Sequence, residues 1–252
     1  MVDSLAERVR AITADRLGPV EVHAAPVDHH ERLVWLASSP AGPVAIKADT
    51  DAERHRRELL GLRGAQRAGC PVPDVIDRVG GDINVLILRA LDGSPLTGRD
   101  DATTWSTVGA GLTELHGVEL SGEVCTGAGR GADDRVGGFL AYARGGVSVD
   151  DDLVADGAAL VTARLTGEVN GVQIHGDCQP DHFLLDDDRR RVVGVLDFGD
   201  AGRGDPLWDI AVLTFDHADR VDAVLGGYAD PALAEHGYDN TTTRERLERL
   251  LS

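Results

Sequence analysis

The chain has 252 residues, 42% of them apolar and 27% charged, and a formal net charge of −18. This is long enough for one sizeable domain or two lobes, and its acidity argues against nucleic acid, whose binders carry basic faces. No apolar run approaches the roughly 18 residues that span a bilayer, the first residues lack the basic-then-apolar pattern of a signal peptide, and three scattered cysteines (Cys70, Cys125, Cys178) suit a reduced cytoplasm.

Charge and basic-residue usage are uneven. Residues 1–95 hold 14 acidic and 12 basic side chains, whereas residues 96–252 hold 29 and 13. An acidic second half can attract a cationic small molecule through its summed field. Of the cations, 24 are arginine and one is lysine, Lys47. A single Lys among arginines suggests a place where a compact point charge is wanted.

In chain order, residues 3–17 predict an amphipathic helix, with Leu5, Val9 and Ile12 on one face and Ser4/Glu7 as a capping box. Strands follow over 20–24, 32–37 and 43–48, the third ending in Val44-Ala45-Ile46-Lys47. A charged helix from Asp51 to about Ala68 carries Leu59, Leu62 and Ala65 on one side, with Gly69 just past its end. Pro71-Val72-Pro73 forces an extended entry into Val75-Ile76, and residues 84–88 read as a buried strand. The turn Asp92-Gly93-Ser94-Pro95 marks the boundary between two lobes, residues 1–90 and 91–252.

Beyond it the pattern is mostly helical: 104–116, 135–143, 153–165, 206–215, 221–228 and 242–251, with a small-residue loop over 117–132. Between these lies a hairpin, 183–185 and 192–196, turned by Asp186-Asp187-Asp188-Arg189. It places Asp177, His182 and Asp197 near one mouth, where two carboxylates and an imidazole can hold a divalent cation and a proton acceptor together. The order of parts suits phosphoryl transfer from a nucleotide. A strand Lys neutralises phosphate, a helix Glu holds that Lys, one Asp orients the acceptor hydroxyl, and a second Asp with a partner holds magnesium.

Three stretches carry a family resemblance: His175-Gly176-Asp177 with His182, the run from Asp197-Phe198-Gly199-Asp200 to Asp209, and Val44-Ala45-Ile46-Lys47. The chain resembles the aminoglycoside phosphotransferases, antibiotic kinases related to protein kinases. The resemblance implies an α+β, protein-kinase-like bilobal fold. The N-lobe is an antiparallel sheet with one or two helices, and the C-lobe is mainly helical with a catalytic hairpin.

It further implies Asp177 as catalytic aspartate, Lys47 as phosphate ligand with Glu58 (or Glu53) as its partner, and Asp197 with His182 as metal ligands. Backbone groups of Arg89 and Leu91 would meet the base. His175 and Asp209 would brace the loops. Asp181 and Asp200 are candidates to meet substrate amines. The cofactors expected are Mg2+ and ATP or GTP. The acceptor expected is a hydroxyl of an aminoglycoside-like cation, or alternatively of a macrolide or another metabolite.

His182 departs from the commoner Asn of the family and resembles the 2″-aminoglycoside and macrolide phosphotransferases. Two readings without kinase activity also fit the residues, a metal hydrolase built on His175, Asp177 and His182, and a nucleotide-binding regulator.

Overall fold

The computed structural model describes residues 4–28, 31–117, 172–204 and 206–228. The loop beyond Gly117 and the helices expected over 135–143, 153–165 and 242–251 lie outside the described residues.

Helix α1 (Leu5–Leu17) starts at Ser4. The Ser4 hydroxyl accepts from Glu7 N–H and the Glu7 carboxylate accepts from Ser4 N–H, the reciprocal box that the sequence predicts. Strands β1 (Glu21–Asp28), β2 (Arg32–Ser39), β3 (Gly42–Asp49), β4 (Val75–Val79) and β5 (Asn84–Arg89) form one antiparallel sheet in the order β1-β2-β3-β5-β4. Strand β1 runs four residues past its expected end at Ala24. Register shifts between Val22 and Val27 let the pairing resume at Val27 and Asp28 beyond Ala25 and Pro26. Helix α2 (Ala52–Arg67) is capped by Asp51, which accepts from the N–H groups of Glu53 and Arg54.

Alternation along the strands gives the sheet two different faces. Leu33, Trp35, Ala37, Val44, Ile46, Ala48, Val85 and Ile87 pack with Val9 of α1. The opposite face carries Arg32, Val34 and Leu36 beside Asp49, Lys47 and Ala45, each pair in register. Leu86 and Leu88 of β5 lie on that second face, buried against Leu59 and Leu62 of α2. Strand β5 is therefore covered on both sides, which is why residues 85–88 are a continuous apolar run.

After Arg89 the chain passes through Ala90–Gly93 into the short strand β6 (Ser94–Pro95) and helix α3 (Ala102–His116). Strands β7 (Val172–Ile174), β8 (Phe183–Leu185), β9 (Val192–Val195) and β10 (Gly202–Gly204) make two small sheets, β6-β8-β9 and β10-β7, all antiparallel. The expected hairpin is β8–β9. Its turn is closed by Asp186, whose carboxylate accepts from the N–H groups of Arg190 and Arg191. Helices α4 (Pro206–Thr214) and α5 (Val221–Gly227) follow, and α5 packs on α3.

One core joins α2 and β5 to this second part: Leu59, Leu86 and Leu88 lie in the same buried cluster as Trp105, Leu112, Phe183, Phe198 and Ile210. Helix α2 crosses the 198–201 segment very closely, because Gly61 leaves no side chain between them. A Cβ there would lie 2.7 Å from Ala201 Cβ and 2.8 Å from Phe198 Cβ.

Candidate active site

Lys47 is the inward-facing residue at the end of the Val44–Lys47 run, and strand alternation aims it at α2 and at the loop after β9. Its ammonium lies 2.5 Å from Glu58 Oε1 and 2.8 Å from Asp197 Oδ1. Three elements distant in sequence meet at this nitrogen. The alternative partner, Glu53, is on the outer side of α2 and pairs with Arg56.

Burial disfavours the Lys47 ammonium, but Glu58 and Asp197 outweigh it and raise its pKa. Burial also pushes the Glu58 carboxyl up; Lys47 pulls it down, and Asp197 adds to the rise.

Asp197 occupies a left-handed backbone conformation (φ 61°, ψ 67°), uncommon for a residue other than glycine. The turn swings its carboxylate away from the hairpin and toward the sheet, where Arg32 also reaches it. The Arg32 guanidinium donates to Oδ2 at 2.9 Å and to Oδ1 at 3.1 Å. Burial would raise the Asp197 pKa, but Lys47 and Arg32 together hold the carboxyl well below the usual carboxylate range. Arg32 did not emerge from the sequence. As one of 24 arginines it has no distinguishing neighbour, and only the strand register puts it beside Lys47.

Asp177 follows β7, half-buried. Its backbone carbonyl accepts from His182 Nδ1 at 2.8 Å, and its carboxylate accepts from Gln179 Nε2 at 3.3 Å. A carbonyl only accepts, so Nδ1 of His182 donates here and Nε2 is the nitrogen left to face Asp197. That nitrogen lies 3.9 Å from Asp197 Oδ2. The pair is close enough to share one ion; the carboxylate oxygen suits Mg2+ or Mn2+, and an imidazole nitrogen can bind a divalent ion although Mg2+ prefers oxygen.

The loop that bears Asp177 is held from beneath by Asp209, which is fully buried. Its carboxylate accepts from His175 N–H (2.6 Å), Gly176 N–H (2.8 Å) and His116 Nε2–H (3.0 Å). Burial works to raise its pKa, and these donors, His116 first, lower it overall. His116 also shares Nδ1 with the Tyr228 hydroxyl at 2.6 Å. Trp208 Nε1–H donates to Gly176 O at 2.8 Å.

His175 donates Nε2–H to Leu196 O at 2.6 Å, so it ties the Asp177 loop to the residue before Asp197. Burial depresses its pKa. His116 and Tyr228 were also missed by sequence reading. The only signal was a histidine one position beyond the apolar stripe of Val108, Leu112 and Leu115.

The remaining candidates are less central. Arg89 N–H donates to Asp74 O and Ala90 N–H to Pro43 O, so Arg89 can meet a base edge only through its carbonyl. Leu91 is half-buried, its Cδ1 lying against Gly194. Asp181 is exposed on the short 3-10 turn before β8. Asp200 is half-buried, 4.0 Å from the Arg57 guanidinium. Cys70 and Cys178 are buried free thiols; burial pushes the first up to about 12 and the second higher than an ordinary thiol.

A sequence model of the phosphotransferase enzyme family matches residues 23–247. The chain belongs to that family. An aminoglycoside 3′-phosphotransferase from Streptomyces fradiae is 30% identical over 220 residues, covering 81% of this chain and 78% of the relative. A viomycin phosphotransferase from Streptomyces vinaceus is 24% identical over 250 residues, covering 90% and 84%. An aminoglycoside 3″-phosphotransferase from Streptomyces rimosus, solved with ADP and streptomycin, shares the fold with a TM-score of 0.63 at 21% identity, covering 100% of both chains. The resemblance to antibiotic kinases is thereby confirmed, and so is the protein-kinase-like mixture of antiparallel sheet and helices. The chain is a phosphotransferase. No helix among the described residues is long and apolar enough to cross a membrane.

Proposed function

We infer that this phosphotransferase moves the γ-phosphoryl group of ATP or GTP to a hydroxyl of an aminoglycoside-like cationic antibiotic, and so confers resistance to it. The observation that carries the reading is the ion-pair chain Glu58–Lys47–Asp197, which brings a sheet cation to a carboxylate of the hairpin. The names of the relatives support an antibiotic acceptor, and the acidic residues 96–252 favour a cationic one.

In this reading residues 1–90 hold the nucleotide and 91–252 supply the catalytic loop and acceptor site. Leu36, 44% exposed, faces Ala45 in register on the Lys47 side of the sheet and offers an apolar surface for the base. The carbonyl of Arg89 and the backbone of Leu91 meet the base edge. Lys47 binds the α/β-phosphates, held in place by Glu58.

Asp197 and His182 would hold the divalent ion, which would supply charge neutralisation to the phosphates. Asp177 orients the acceptor hydroxyl and takes its proton as the acceptor oxygen bonds to the γ-phosphorus and the bond to the β-phosphate oxygen breaks, leaving ADP or GDP. Asp181 and Asp200 meet substrate amines. A nucleotide donor and the unpaired Cys70 and Cys178 support a cytoplasmic setting.

The test is transfer of radiolabelled γ-phosphate from ATP and from GTP across a panel of aminoglycosides, viomycin and a macrolide. Asp177→Asn is expected to lower kcat by about 10²–10⁴-fold, the usual worth of a positioned base, with nucleotide binding retained. An unchanged rate in that variant removes Asp177 from its role. Transfer to a macrolide with none to any aminoglycoside replaces the acceptor assignment.

A further inference from the structure

Arg32 contacts Asp197 but has no role among those expected from the sequence. Arg32 is the first residue of β2, at the end of the connection from β1. It pairs with Asp49 while Val34 pairs with Lys47, so Arg32 and Lys47 lie on one face of the sheet, two residues apart along the ladder. The guanidinium grips both oxygens of Asp197. Part of its side chain remains accessible, 22% against 14% for Lys47.

Asp197 therefore has two cations on one carboxylate, and its Oδ2 is claimed twice. Arg32 donates to it at 2.9 Å, and His182 Nε2 faces it across 3.9 Å. A divalent ion bound to that oxygen would sit against a guanidinium charge at hydrogen-bond distance from the same atom. The two positive charges would repel each other at that distance. The anions that would accompany such an ion are phosphates, and a guanidinium fork fits phosphate oxygens as well as it fits a carboxylate.

Residues 25–30 contain no glycine, so the connection from β1 is not a glycine-rich phosphate loop. Lys47, by contrast, is held from two sides by Glu58 and Asp197.

We propose that Arg32 is a phosphate-binding residue of the nucleotide site and that Asp197 exchanges the Arg32 guanidinium for the divalent ion when the metal–nucleotide complex enters. The proposal rests on the reading of the cleft as a nucleotide site. It makes Arg32 an electrostatic guard: it opposes metal binding to the protein alone and favours metal that arrives with phosphate.

Two binding measurements on the full chain test it, and their expected changes have opposite signs. In Arg32→Gln, affinity for ATP or GTP with Mg2+, measured by calorimetry, should fall about 10- to 100-fold, as for loss of a hydrogen bond to a charged group. In the same variant, affinity for Mn2+ alone, measured by electron paramagnetic resonance, should rise, because the competing cation is gone. Arg32→Lys keeps one charge but not the fork and should shift both affinities in the same directions by less; it carries the test if the Gln variant does not fold.

Nucleotide affinity within twofold of the wild type overturns the proposal. So does Mn2+ affinity that is unchanged or weaker, the pattern of a residue that only supports structure. A wild-type protein that binds neither nucleotide overturns the reading of the cleft and, with it, this proposal. Wild-type nucleotide binding with Arg32 variants that lack these opposite changes removes Arg32 alone and leaves the reading of the cleft in place.

Discussion

Replacing Asp209 by Asn tests whether the catalytic loop is held by charge and not merely by shape. Asp209 is 0% exposed and its two oxygens accept three hydrogen bonds, from His175 N–H, Gly176 N–H and His116 Nε2–H. An asparagine has the same outline but only one oxygen. Its amide would present N–H toward at least one of these donors, leaving a buried donor unsatisfied at a cost of about 1–3 kcal/mol. The charge assistance of the remaining bonds is lost as well, and breaking a buried charge interaction by removing one partner typically costs about 3–5 kcal/mol in all.

Against a total stability of roughly 5–15 kcal/mol this is a large share. At about 2–4 °C per kcal/mol for a chain of this size, Tm should fall by roughly 6–20 °C. Thermal unfolding followed by circular dichroism reads this directly. A loss below about 1 kcal/mol, the worth of one ordinary hydrogen bond, would show that the three donors find other partners and that Asp209 does not anchor the loop.

Asp197 links stability to pH. Its pKa is depressed in the folded protein, so its contribution is complete above the unfolded value near 3.9 and disappears as pH falls toward the lower folded value. The unfolding free energy should therefore drop more steeply from pH 5 to 2.5 in the wild type than in Asp197→Asn; equal slopes would contradict the assignment. Gly61→Ala should lower stability by about 1–3 kcal/mol, because its Cβ meets Ala201 and Phe198 side chains close to their own backbone. It should also slow turnover, since Phe198 directly follows Asp197. Gly226→Ala meets nothing within 4 Å and should leave Tm unchanged or raise it, so an equal loss at both positions would refute the packing argument.

Local chemistry determined much of this protein from its sequence. The Ser4/Glu7 box, the alternation of β2 and β3, the doubly covered run of β5 and the acidic turn of the β8–β9 hairpin each depend on residues a few positions apart, where pattern and propensity act. The singular Lys47 and the His175–Asp177 and Asp197–Asp209 runs added the family and a set of candidate residues for the same reason: their spacing is short and their side chains are chemically distinctive.

Tertiary structure alone decided which of several plausible groups meet. Glu58 reaches Lys47 and Glu53 does not, because α2 turns one face to the sheet and the other to solvent. Arg32 joins Asp197 across 165 positions, and Tyr228, 112 positions from His116, bonds the histidine that donates to Asp209. These contacts are set by strand register and helix crossing, where a change of one residue would send the same side chain to the opposite face. An arginine among two dozen carries no mark of such a role until the sheet is assembled around it.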